Sequence, residues 1–307
     1  MAISTNLKVA EIMDAALTAF LRAPVPLRAW NMIGNKEQRG LQRGDTMRVP
    51  YYPLVATASE DWVPATGYDF TNGVPNVDTR EVTIDKRKYQ PIVTTSTELS
   101  RFNYSPAEIG RVKGNKLAID VTADILSVVT AANYGAAAFT GAANTFDSDS
   151  VIDVRNACKK DNWPSTQDWF LILDTDYHTN LEKDADIKPA YSYGNTDPIQ
   201  EGMFGRLAGF NVMSTNEIPG NGENLVGMAT TRSGILIGNA PIAPGGGRDD
   251  VANRTVEYET ITDPGTGITL EYRKWFDENL DQVREVLEMN YGYALAEAAA
   301  IKRIVSA

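Results

Sequence analysis

The chain has 307 residues, 43% hydrophobic and 22% charged, with 29 basic against 40 acidic residues for a net charge of −11. That length buries a large core, as two domains or one elaborate one, and the acidic balance argues against a protein that gathers nucleic acid by neutralising phosphates. One cysteine, Cys158, excludes an internal disulfide and a thiolate metal cluster, and no stretch approaches the ~20 apolar residues of a membrane span.

Val9, Ile12, Met13, Ala16, Leu17 and Phe20 form one apolar stripe on an N-terminal helix, which Pro24 and Pro26 end. The stripe faces either the chain's own core or a neighbouring subunit. Lys8, Glu11 and Asp14 interrupt it, which is unlike a signal peptide; the expectation is a soluble protein made inside the cell.

Gly44-Asp45-Thr46-Met47-Arg48-Val49-Pro50 reads as a strand leaving a turn, and Val77 to Tyr89 as a second extended segment with Val82 and Ile84 alternating with polar neighbours. Between them, Leu54 to Asn76 is polar and rich in Gly, Pro, Asn and Thr, with the aromatics Trp62, Tyr68 and Phe70 set singly along it. A two-stranded ribbon is marginal alone in water, so these aromatics are expected to contact another chain. The alternative is a loop folded back on its own domain. Lys86-Arg87-Lys88 reads as a strand edge protected by charge or, if functional, as a partner for Glu60 and Asp61 of another copy.

Ser105-Pro106-Ala107-Glu108 reads as a capping box with proline at the first helical position. Ile109, Val112, Leu117, Val121, Ile125 and Val128 predict one helix from Ser105 to Tyr134, about 45 Å at 1.5 Å per residue, ended by Gly135. Residues 136–150 read as a hinge-like connection. Beyond it the pattern predicts a helix over Val151–Lys160, a buried strand over Trp169–Leu173, and a helix over Thr175–Lys183 capped by Asp174. Residues 186–200 read as loop, Phe210–Ser214 and Leu225–Ala229 as strands, Thr231–Ile237 as a short helix, and Gly245-Gly246-Gly247 as a flexible exit. Val256–Thr262 and Ile268–Arg273 flank Asp263-Pro264-Gly265-Thr266-Gly267 as a hairpin. Asp281–Met289 is strand-like or irregular, and the Ala-rich tail carries a short helix or strand.

No catalytic constellation emerges. His178, the only histidine, stands near Asp174 and Asp176, but no second motif supplies further ligands. Gly245–Gly247 lacks the Lys-Ser/Thr of a phosphate loop, Gly265 and Gly267 sit in a hairpin, and there is no Gly-x-Ser-x-Gly elbow. Catalytic, cofactor-binding and metal residues are therefore expected to be none.

The stretch Glu201–Pro219, with Gly202, Gly205 and Gly209 before the apolar run Phe210–Met213, turns tightly into a buried strand. It resembles the axial-domain pattern of the tailed-phage major capsid family, the Hong-Kong-97-type fold. Trp169–Tyr177 resembles that domain too. Gly44–Pro50 resembles the family's strand entering its extended loop, and Val82-Thr83-Ile84-Asp85-Lys86 with Thr94–Glu98 resembles the return. The resemblance implies an α+β major capsid fold: an N-terminal arm (1–40), an extended hairpin or E-loop (41–95), a peripheral domain with a long spine helix (96–149), a mixed α/β axial domain (150–245), and a return to the peripheral domain through a β-hairpin and C-terminal segment (246–307).

It also implies a structural coat protein that self-assembles as pentamers and hexamers into an icosahedral shell around double-stranded DNA, without sequence-specific binding and away from membranes. Implied with that are a portal, a separate scaffolding protein, assembly in the host cytoplasm and a place in the virion capsid. Expected subunit contacts are Ile12, Phe20, Trp62, Tyr68, Phe70, Lys86 and Arg87. The alternatives are an encapsulin-type nanocompartment shell, a phage tail or decoration protein and, from another class, a metal-dependent enzyme using His178.

Overall fold

A computed structural model describes residues 2–22, 27, 29–34, 44–54, 59, 62, 68, 77–95, 105–165, 167–184, 206–241, 257–263 and 267–307. Its helices are α1 (Ala2–Arg22), α2 (Pro106–Leu126), α3 (Ala131–Tyr134), α4 (Ser148–Lys160) and α5 (Thr175–Lys183). Its strands are β1 (Asn31–Gly34), β2 (Thr46–Tyr51), β3 (Asp78–Thr83), β4 (Lys86–Thr95), β5 (Phe139–Thr140), β6 (Trp169–Leu173), β7 (Arg206–Leu207), β8 (Phe210–Ser214), β9 (Leu225–Thr230), β10 (Ile235–Asn239), β11 (Glu257–Thr262), β12 (Thr269–Asp277), β13 (Gln282–Leu295) and β14 (Ile301–Val305). The chain divides into two compact units: residues 1–47, 81–128 and 236–294 in the first, 48–80, 129–235 and 295–307 in the second. The C-terminal segment thus serves both.

The first unit is built on a mixed sheet of order β1-β10-β13-β12-β11, with β4 also paired to β13. β13 is the longest strand at 14 residues and the hub, antiparallel to β12 (Glu271↔Glu288) and to β4 (Tyr89↔Glu288). α1 lies along α2. Val9, Ile12, Met13, Ala16, Leu17 and Phe20 are all buried, so the predicted stripe, with Ile12 and Phe20, is covered within its own unit. Two glycines set how close the helices come: a Cβ on Gly110 would lie 2.3 Å from the Ile12 carbonyl oxygen, and one on Gly114 2.4 Å from that of Ala16. Only hydrogen fits there.

The second unit holds a sheet of order β5-β14-β9-β6-β8-β7. β6, buried at all five positions, pairs in parallel with β8 and antiparallel with β9. Its core joins β6 to α4 and α5 through aromatics: Phe146 meets Phe139 and Tyr177 edge-on at 5.1 and 5.6 Å, and Trp163 meets Trp169 at 5.5 Å. Cys158 is fully buried there, and burial pushes its thiol up to about 12.

The structure alters several local expectations. α2 stops at Leu126, so it is about 32 Å long. The Ser127 hydroxyl bonds the Asp124 carbonyl at 2.6 Å, and β-branched Val128, Val129 and Thr130 follow, a poor continuation for a helix; α3 then starts afresh. Ser105 stands at the N-cap position without a side-chain cap bond, and Glu108 pairs with Arg111 (2.7 Å), so no capping box closes. Asp174 likewise makes no cap bond, whereas Asp147 caps α4 by accepting the Ser150 N–H at 2.9 Å. Thr231–Ile237 is no helix: Gly234 closes a turn onto Thr231, and Ile235–Asn239 becomes β10, parallel to β1 (Met32↔Ile237). A three-residue apolar run fits strand and helix alike, and the β1 pairing decides. The hinge-like 136–150 holds β5 and a helical turn at Ala143–Thr145. Pro24, Pro26, residues 186–200, Glu201–Gly205 and Gly245–Gly247 lie outside the described residues.

Gly114→Ala should destabilise the chain by about 2 kcal/mol, because overpacking against the Ala16 carbonyl outweighs the gain of about 1 kcal/mol in helix propensity. Urea unfolding followed by circular dichroism checks the sign; a stabilised variant would mean that α1 does not lie on α2 this closely.

Candidate subunit interface

Residues 48–80 are an excursion of the chain assigned to the second unit, with β2 and β3, which pair with each other, at its two ends. At its base, Tyr51 donates to Asp78 at 2.7 Å. That bond, with the Thr79 N–H, holds the exposed Asp78 carboxyl below the usual carboxylate range. Trp62 is 59% exposed and Tyr68 77%, where such side chains ordinarily bury most of their surface. Tyr52 and Val77 are exposed on the same excursion. Phe70, Glu60 and Asp61 lie outside the described residues.

Lys86 and Arg87 are each met by a carboxylate of their own unit. Lys86 pairs with Asp124 of α2 (3.1 Å) and bonds the Tyr293 hydroxyl (2.7 Å). Burial alone would depress its ammonium; those two bonds outweigh it and raise it above its ordinary value. Tyr291 also donates to Asp124, at 2.8 Å.

Arg87 pairs with the fully buried Glu288, its Nε at 2.7 Å. Arg273 binds both Glu288 and Glu271. Tyr258 and Asn290 each donate to Glu271, which is also fully buried. Two guanidinium groups thus balance two carboxylates across β4, β13 and β12.

A feature absent from the sequence reading is a second apolar row. Tyr89 and Val93 are more than half exposed on β4, with exposed Pro91 between them. Alternate positions share a face of a strand, so the three form one stripe. Their alternation with Lys88, Gln90 and Ile92 was the available signal. Phe276 and Leu280, near the turn joining β12 to β13, are also exposed.

His178 is buried on α5, 3.4 Å from Glu182 one turn along, and its backbone N–H goes to the Asp174 carbonyl. Among the described residues no three His, Cys, Asp or Glu side chains converge as metal ligands. Burial lowers the imidazole below its ordinary value, against the opposing pull of Glu182.

No protein-family model and no curated protein matches this sequence. Solved structures do match. The capsid of a native GTA particle superposes with a TM-score of 0.55 at 16% identity, covering 94% of this chain and 90% of that one. The capsid of cyanophage P-SCSP1u gives 0.54 at 12%, covering 91% and 86%. A virus-like particle from Pyrococcus furiosus gives 0.51 at 12%, covering 96% and 98%. The chain therefore has the α+β fold of phage capsid subunits, the Hong-Kong-97-type fold, over nearly its whole length.

Two measurements check the electrostatics. Arg87→Met should cost about 3 kcal/mol in urea unfolding, because it leaves Glu288 buried with one cation instead of two; a loss below about 0.5 kcal/mol would mean that the pair is solvated. Since His178 is lowered in the folded state, the unfolded chain binds the extra proton, so this contribution is present above about pH 6.5 and lost as pH falls below it. His178→Gln should flatten that acid limb in thermal melts between pH 7 and 5, and an unaltered limb would assign it to other groups.

Proposed function

We propose that this chain is the major capsid protein of a tailed phage, a structural protein rather than an enzyme. Its copies associate as pentamers and hexamers and close an icosahedral shell around double-stranded DNA. The fold shared with a cyanophage capsid, a GTA-particle capsid and a virus-like particle over at least 91% of the chain carries the reading. The exposure of Trp62 and Tyr68 supports it. Trp62, Tyr68 and Phe70, joined by Tyr52 and Val77, cover themselves on the adjacent subunit. Ile12, Phe20, Lys86 and Arg87 contribute indirectly, by holding α1 and β4 in place. Each aromatic so covered is worth about 2 kcal/mol. A single contact is weak, but a subunit held by several neighbours in a closed shell multiplies it.

A portal and a separate scaffolding protein are the expected partners, and the particle assembles in the host cytoplasm. The acidic chain suits a wall that encloses DNA without gripping it. The likeness to a virus-like particle leaves room for a second reading, an encapsulin-type shell of the same fold with protein cargo. Nuclease-protected DNA within purified particles selects the first reading, and co-purifying protein the second.

Trp62→Asp should give a soluble, folded subunit that no longer forms capsomers. Circular dichroism, size-exclusion chromatography and negative-stain microscopy of the expressed protein test this. Particle yield equal to that of the unaltered chain would remove the excursion from the assembly contact.

A further inference from the structure

In the second unit the four-residue turn Gly220–Glu223, between β8 and β9, acts as a clamp. The Glu223 N–H bonds the Gly220 carbonyl at 2.8 Å, and Asn221 and Gly222 between them have φ of +51° and +70°. Positive φ at both central positions is the turn conformation that selects Asn-Gly. Three attachments fasten this turn to the segment that follows α2. The Asn221 side-chain amide donates to the Val129 carbonyl at 2.8 Å. The Glu223 carboxylate accepts the Ala131 N–H at 2.8 Å and pairs with buried Arg303, which itself bonds the Gly135 carbonyl.

We propose that Asn221 is a site of spontaneous deamidation gated by this clamp. Asn followed by Gly is chemically predisposed, because no side chain on Gly222 hinders its backbone nitrogen. In the reaction that nitrogen gives its proton to solvent base and attacks Cγ of Asn221. A new C–N bond closes a succinimide, the bond from Cγ to Nδ2 breaks, and ammonia leaves. Water then opens the ring to aspartate or isoaspartate. No oxidant, reductant or cofactor takes part.

Closed, the clamp opposes this. Cγ has to swing onto the Gly222 nitrogen, while the Val129 carbonyl holds Nδ2 and the Gly220–Glu223 bond holds the backbone. Once the reaction has occurred, the clamp does not re-form as before. The product carboxylate has no N–H for Val129 and adds negative charge next to Glu223, whose carboxylate is already committed to Arg303 and Ala131. An opening of this turn is therefore recorded as a permanent covalent change.

Incubation at pH 8 and 37 °C followed by peptide mapping tests the proposal. Conversion at Asn221 should be at least about fivefold slower in the folded protein than in urea, the factor that one neutral hydrogen bond of about 1 kcal/mol supplies. Glu223→Gln, which loses the ion pair with Arg303, should speed it in the folded state. Ala131→Pro is a second route: it removes the N–H that Glu223 accepts, at a first helical position where proline is tolerated. Equal rates folded and in urea would overturn the proposal, as would two folded variants that both convert at the unaltered rate.

Discussion

A carboxylate set inside a sheet costs several kcal/mol unless cations meet it there, and Glu288 is fully buried on the strand with which three others pair. Arg87 from β4 and Arg273 from β12 provide those cations, so the strands on either side of β13 are held in register by charge as well as by backbone bonds. A slip of one residue along β4 would turn Arg87 to the opposite face and leave Glu288 short of a cation. The register of β4 on β13 is therefore fixed within the first unit.

The two sheets end differently. In the second unit both edges are two-residue strands, β5 and β7, too short to template a foreign strand. In the first unit β4 is ten residues long and, among the described residues, pairs on one side only, with β13. It carries Lys88 and Pro91, residue types that blunt strand addition. Beside them it exposes the apolar row of Tyr89, Pro91 and Val93.

Periodicity made much of the fold legible. The stripe from Val9 to Phe20, the unbroken run Trp169–Leu173 and the alternating arms around Asp263 each carry their structure in local spacing. The aromatics Trp62 and Tyr68 were readable for the same reason, since they stand alone in polar sequence. Features that depend on distant chain were not. Nothing near Lys86 or Arg87 reveals that Asp124 and Glu288 will meet them. Gly110 and Gly114 look like weak points in a helix until another backbone is laid across them. Ile235–Asn239 takes its identity from β1, some 200 residues earlier, and Ser105 and Asp174 have the right residue types for caps, but their neighbours offer the chain other bonds.

Cys158 shows how one buried group can serve the experimenter. The protein contains a single thiol, and it lies in the core of the second unit with its ionisation pushed far above neutral pH, so the thiolate that would react with a maleimide or an oxidant hardly forms. A cysteine introduced anywhere on the exterior would be the one reactive sulfur in an otherwise silent background. Fluorophores or spin labels could then follow individual surfaces through assembly with the native residue left in place.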